Sequence, residues 1–99
     1  FMPEPEGRRG TRWLTCLTLG PGAKSTSGAI IDACKAARIE TRPLWKPMHM
    51  QPVFSGARFL GSGLCERLFE TGLCLPSGSS MTLGEQDRVI DTLQSCLGC

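Results

Sequence analysis

The apolar residues of this chain change their spacing at Gly20-Pro21-Gly22, and that change restricts the fold more than any other feature of the sequence. Before it, Trp13, Thr15, Leu17 and Leu19 alternate with Leu14, Cys16 and Thr18, the period of a β-strand. Both faces of this Trp13–Leu19 strand are largely apolar, which predicts burial on both sides. After it, Ala29, Ile30, Ala33, Cys34 and Ala37 recur at helical spacing to about Arg38, and Ser25, Thr26 and Ser27 offer N-cap oxygens. A strand followed at once by an amphipathic helix predicts a helix laid on a sheet.

The remaining segments extend that pattern. Phe1–Thr11, punctuated by Pro3, Pro5, Gly7 and Gly10, reads as an extended or turning lead-in. Ile39–Leu44 is a second short strand, limited by Pro43, which holds Arg42 extended. Leu64, Leu68 and Phe69 predict a helix over Leu64–Thr71 that stops at Gly72 as a C′ glycine. Leu73–Pro76 is a third strand and Ser77–Ser80 a turn, for which a phosphate cradle is the weaker reading because no GxxxxGK[ST] is present. Thr82 and Glu85 have capping-box spacing, and Val89, Ile90, Leu93 and Leu97 form the face of a last helix. The order β-α-β-loop-α-β-α predicts an α/β class fold, a small α+β domain with about three helices on a short sheet. Gly28 in the first helix and Gly84 in the last weaken those helices, each by up to ~1 kcal/mol relative to alanine.

Ninety-nine residues limit the chain to one domain with a thin core. No apolar run approaches the ~18–20 residues of a membrane span, and Phe1–Gly10 lacks the sections of a secretory signal. Eleven basic against nine acidic residues leave a net charge of +2 with only Arg8 and Arg9 adjacent, too weak a basic face for nucleic acid. Cys16, Cys34, Cys65, Cys74, Cys96 and Cys99 stand mostly where small apolar residues pack, so reduced interior thiols are expected rather than a disulfide scaffold. Cys96-Leu97-Gly98-Cys99 has CxxC spacing but no second pair to complete a zinc site, so it reads as the end of a helix. A chain beginning Phe1-Met2 is also expected to be part of something longer.

One stretch resists regular assignment: Arg42-Pro43-Leu44-Trp45-Lys46-Pro47-Met48-His49-Met50-Gln51-Pro52-Val53-Phe54. From Leu44 onward it is rich in large apolar groups, broken twice by proline and centred on the only histidine. A loop of that kind lines a pocket or packs on a partner. Together with Glu66-Arg67-Leu68-Phe69 and Gly72-Leu73-Cys74-Leu75-Pro76-Ser77-Gly78-Ser79, it closely resembles the C-terminal part of the DegT/DnrJ/EryC1/StrS family of sugar aminotransferases. Phe1-Met2-Pro3-Glu4, Thr11-Arg12-Trp13-Leu14-Thr15 and Asp87-Arg88-Val89-Ile90 extend the likeness over essentially the whole chain. Gly20 and Gly84 depart from it, standing where an acidic residue is expected.

The resemblance implies the small C-terminal domain, here residues 1–99, of a cytoplasmic, dimeric fold type I aminotransferase whose large cofactor-binding domain is absent. It implies pyridoxal phosphate as cofactor of the whole enzyme. The implied substrates are an amino donor, usually glutamate, and a keto nucleotide-sugar of polysaccharide, glycan or antibiotic-sugar synthesis. Lys24, Lys35 and Lys46 do not match the family's cofactor lysine, so the chain alone is expected to be inactive and not to hold the cofactor. The loop is expected to reach the active-site mouth, which makes Arg42, Trp45, His49 and Gln51 candidate substrate-binding residues. Guanidinium suits a diphosphate, indole stacks on a sugar or base, and imidazole and amide bond hydroxyls. The competing assignments are a core plug for Trp45, a surface ion pair of Arg42 with Glu40, and a backbone partner for His49. The competing function is a stand-alone structural or interaction domain without catalysis. As a piece of a longer enzyme, the chain is expected to expose some of Trp45, Met48, Met50, Val53 and Phe54 and to self-associate through them.

Overall fold

The computed structural model describes residues 1–11 and 13–98. Strand β1 spans Thr15–Thr18, helix α1 Ser27–Ala36, strand β2 Arg42–Pro43, helix α2 Leu64–Thr71, strand β3 Gly72–Leu75 and helix α3 Leu83–Leu97. Between β2 and α2 the chain makes two single 3₁₀ turns, Met48–Met50 and Pro52–Phe54. The predicted order of elements and the α/β small-domain class both hold.

Strand β3 is the centre of the sheet, whose order is β1-β3-β2 with both neighbours antiparallel. All four residues of β3 are buried. Because successive strand side chains alternate between faces, Leu73 and Leu75 enter one cluster with Ile30 and Cys34 of α1, Ile39, and Val89 of α3. Cys74 faces the other side, where its Sγ lies 3.7 Å from that of Cys16. This is the pair directly opposite in the β1–β3 register.

Each helix end follows from its local sequence. Thr26 caps α1 by accepting from the Ala29 amide at 3.2 Å. At the other end Arg38 adopts a left-handed conformation (φ 57°), its amide bonds the Lys35 carbonyl, and the Ile39 amide bonds that of Cys34 at 2.8 Å. This is a Schellman arrangement with arginine where glycine is usual. The predicted capping box of α3 is present: the Glu85 amide donates to the Thr82 hydroxyl, and the Glu85 carboxylate accepts from the Thr82 amide at 2.8 Å. Helix α2 lacks a side-chain cap at its start. Its C-terminal carbonyls accept from the Ser27 hydroxyl at 2.6 Å (Glu70) and from the Leu19 amide at 2.9 Å (Thr71).

Three expectations are corrected. Strand β1 is shorter than Trp13–Leu19 and only half-buried, because it lies at the sheet's edge; on that edge the Met2 amide bonds the Cys16 carbonyl at 3.3 Å. Strand β2 shrinks to two residues: the chain spends Ile39 closing α1, and Pro43 brings no amide to the ladder. Gly72 is not a left-handed cap. Its backbone is extended (φ −105°, ψ 156°), so α2 passes directly into β3. Glycine is needed there for closeness, since a Cβ would run into the Leu44 side chain and lie 2.5 Å from the Leu68 carbonyl oxygen. Cys16, Cys34, Cys65, Cys74 and Cys96 are free thiols, whereas the CxxC reading involves Cys99, which lies outside the described residues. No helix is long and apolar enough to cross a membrane among the described residues.

Candidate functional site

The proline-broken loop is held by a few strong anchors. Pro47 is buried beneath it. At the first 3₁₀ turn His49 is aimed at α2, where its Nε2 lies 2.7 Å from Glu66 Oε1, both side chains about three-quarters or more buried (20% and 26% exposed). The Phe59 ring stacks on the imidazole at 3.7 Å between centroids, with an interplanar angle of 24°. Glu66 also accepts from the Cys65 thiol at 3.3 Å through Oε2. Its carboxyl is held below the usual carboxylate range, first by its own backbone amide and then by the Cys65 thiol, with His49 adding to the effect against partial desolvation.

The other three candidates lie elsewhere on the loop. Arg42 directs Nε and Nη2 to one oxygen of Glu40, at 3.1 and 2.7 Å, on an open surface where both side chains are about three-quarters exposed. Trp45 is 63% exposed and meets Trp13 at a centroid distance of 5.9 Å, tilted by 40°. Gln51 Nε2 is 3.6 Å from Met48 Sδ, a contact within the loop itself. Arg42 and Trp45 share an open cleft of about 460 Å³ with Thr41, Pro76, Ser77 and Gly78. His49 instead lines a second cleft of about 380 Å³ with Met48, Phe54, Arg58, Phe59 and Cys65. Three of the four candidates therefore fall in two clefts, and Gln51 lines neither of them.

Trp13, Phe59, Cys65 and Glu66 also meet the loop here, though none of them is among the four candidates. A histidine in an apolar loop signals that some polar partner exists, but spacing along the chain does not say which carboxylate supplies it. The turn after β3 is structural. Ser77 Oγ accepts from the Thr15 amide at 2.7 Å and donates to the Leu75 carbonyl at 3.0 Å, locking the sheet's end. The start of α3 already carries the Glu85 carboxylate where an anion would sit.

A Schiff-base lysine must be desolvated and beside its cofactor. Lys24 lies in a bend, Lys35 on α1 and Lys46 in the loop, and all three are exposed. None of the three is desolvated as that role requires.

What fold and site define is a small α/β domain that presents an apolar, proline-shaped loop carrying aromatic and hydrogen-bonding groups. This chain belongs to the DegT/DnrJ/EryC1/StrS aminotransferase family, whose profile matches residues 2–94. It is 47% identical over 97 residues to EpsN of Bacillus subtilis (strain 168), a protein provisionally named as a pyridoxal phosphate-dependent aminotransferase. That match covers 94% of this chain and 24% of the relative. It is 32% identical over 85 residues to GDP-perosamine synthase of Caulobacter vibrioides (strain ATCC 19089 / CIP 103742 / CB 15), covering 86% of this chain and 23% of the relative. The chain thus spans about a quarter of the length of these relatives.

Proposed function

We propose that residues 1–99 are the small C-terminal domain of a pyridoxal-phosphate-dependent sugar aminotransferase, a cytoplasmic homodimer that moves an amino group, from glutamate, to a keto nucleotide-sugar used in polysaccharide, glycan or antibiotic-sugar synthesis. The observation that carries this reading is the family match across residues 2–94, which runs from the lead-in to β1 into the last turns of α3. The name of the Caulobacter relative, a synthase of a GDP-linked sugar amine, supports a nucleotide-sugar as substrate class. In this reading the chain contributes the substrate-facing loop and not the cofactor lysine. Trp45 and Arg42 offer stacking and charge from one cleft, while His49, fixed by Glu66 and Phe59, offers its remaining ring nitrogen from the next. Gln51 is the fourth contact.

Two measurements test this. Mixed with pyridoxal phosphate, the chain is expected to give no Schiff-base absorbance that survives dialysis. A stoichiometric adduct lost in Lys46→Ala would place cofactor binding in the loop and overturn the division of labour. In protein expressed from the whole reading frame that carries this chain, Trp45→Ala and His49→Gln are expected to raise KM for the nucleotide-sugar about tenfold each, the effect of losing one good contact. Their pyridoxal phosphate absorbance should be unchanged. A frame with no cofactor lysine and no transamination would instead favour a stand-alone interaction domain.

A further inference from the structure

We propose that His49, Cys65 and Glu66 form a binding site for a single divalent cation of the zinc class, a property separate from the amino-transfer reading and not dependent on it. A ring nitrogen of His49, Cys65 Sγ and a Glu66 carboxylate oxygen all lie within 4.8 Å of one another. Imidazole Nε2 lies 2.7 Å from Glu66 Oε1, and the Cys65 thiol lies 3.3 Å from the other carboxylate oxygen, Oε2. Zinc bonds of about 2.0–2.3 Å to nitrogen, oxygen and sulfur put tetrahedral ligand atoms roughly 3.2–3.7 Å apart. The thiol–carboxylate separation of 3.3 Å falls in that range and the imidazole–carboxylate separation of 2.7 Å must open by roughly half an ångström, so the ion enters by replacing the hydrogens that now join the three groups, with small side-chain shifts.

The donor set decides which ion. Imidazole and thiolate are poor ligands for magnesium or calcium, which prefer oxygen, and good ones for zinc or cobalt. One thiolate and one carboxylate balance a charge of +2. Binding releases the Cys65 thiol proton to solvent and shifts the imidazole proton from Nε2 to Nδ1, while metal–sulfur, metal–nitrogen and metal–oxygen bonds form with no change of oxidation state. The site is also partly ordered in advance. Phe59 fixes the plane of the imidazole, and Cys65 and Glu66 are adjacent in the first turn of α2. Cys65 is exposed, which leaves an entry path and room for water as the fourth ligand. Arg58, which lines the adjoining cleft, and the positive end of α2 oppose a cation, so affinity is expected to be moderate. The ion would tie the loop to α2 at the point where His49 and Glu66 already meet.

The experiment titrates the purified chain with cobalt(II), then adds zinc. One equivalent of cobalt is expected to bind with a thiolate-to-metal charge-transfer band, which zinc abolishes. Cys65→Ser, at an exposed position that should not disturb folding, is expected to remove the band and weaken cobalt binding at least about tenfold. His49→Gln is expected to weaken it similarly, with circular dichroism confirming the fold. A Cys96→Ser/Cys99→Ser variant is expected to keep the band. The proposal is overturned if the band survives Cys65→Ser, if it vanishes with the Cys96 and Cys99 replacements, or if the chain takes up no cobalt at a severalfold molar excess of metal.

Discussion

Cys74 stands in the middle of the central strand with a second thiol across from it, and this gives the residue a measurable effect on stability. Burial, followed by the hydrogen bond and charge of Cys16, pushes its thiol from 9.0 up to about 11. Cys34 is shifted in the same direction, chiefly by burial. A thiol whose pKa is raised by folding holds its proton in the native state after the unfolded chain has lost it. Stability is therefore full below about pH 9 and is lost as pH rises toward 11. Urea midpoints measured across that window should fall more steeply for the natural chain than for Cys74→Ala. Equal slopes would mean that the pair does not feel its surroundings in this way. Gly72 makes a steric prediction. Because a Cβ there would meet Leu44 and the Leu68 carbonyl, Gly72→Ala should cost about 1–3 kcal/mol in denaturant unfolding, although the backbone is extended and unstrained.

Among the elements, the end of α1 is the least optimised. Arg38 carries a left-handed backbone (φ 57°) that costs a side-chain-bearing residue roughly 1–2 kcal/mol, while the two Schellman hydrogen bonds hold it there. Arg38→Gly should therefore stabilise the chain by up to about 1 kcal/mol, once the greater freedom of glycine in the unfolded state is subtracted. Thermal unfolding checks the sign. The helices were legible in the sequence because their signals are local: Leu64, Leu68 and Phe69 mark a face, and Thr82 with Glu85 marks a start. The strands were less so. Alternation from Trp13 to Leu19 tells which side chains share a face, but not that the strand has a neighbour on one edge only. Pro43 signalled a short β2, yet the part played by Ile39 in ending α1 depends on a backbone turn that arginine rarely makes. The loop announced itself by composition, whereas the meeting of His49 with Glu66 and Phe59 arises from folding two segments together.

For the molecule as a whole, much apolar surface remains uncovered. Trp13, Trp45, Met48, Val53 and Leu60 are all more than half exposed, and an apolar groove of about 460 Å³ runs between Phe1, Met2, Leu44 and Phe69. So many large exposed apolar side chains are unusual for a solitary soluble domain. The chain by itself is expected to self-associate with rising concentration in sedimentation velocity and to bind an apolar dye. A clean monomer without dye fluorescence would contradict this. In a longer aminotransferase the same surface would be the one to meet the remainder of the protein. The sheet order carries a final consequence for how the domain is made. Strands β1 and β2 touch only through β3, and β3 follows both of them and α2 in the chain. A nascent chain that has not yet released Leu75 from the ribosome can form no sheet, because β1 and β2 have no strand to pair with but β3. The sheet therefore requires closing the long loop between Thr18 and Gly72, a non-local step expected to be slower than the formation of local contacts.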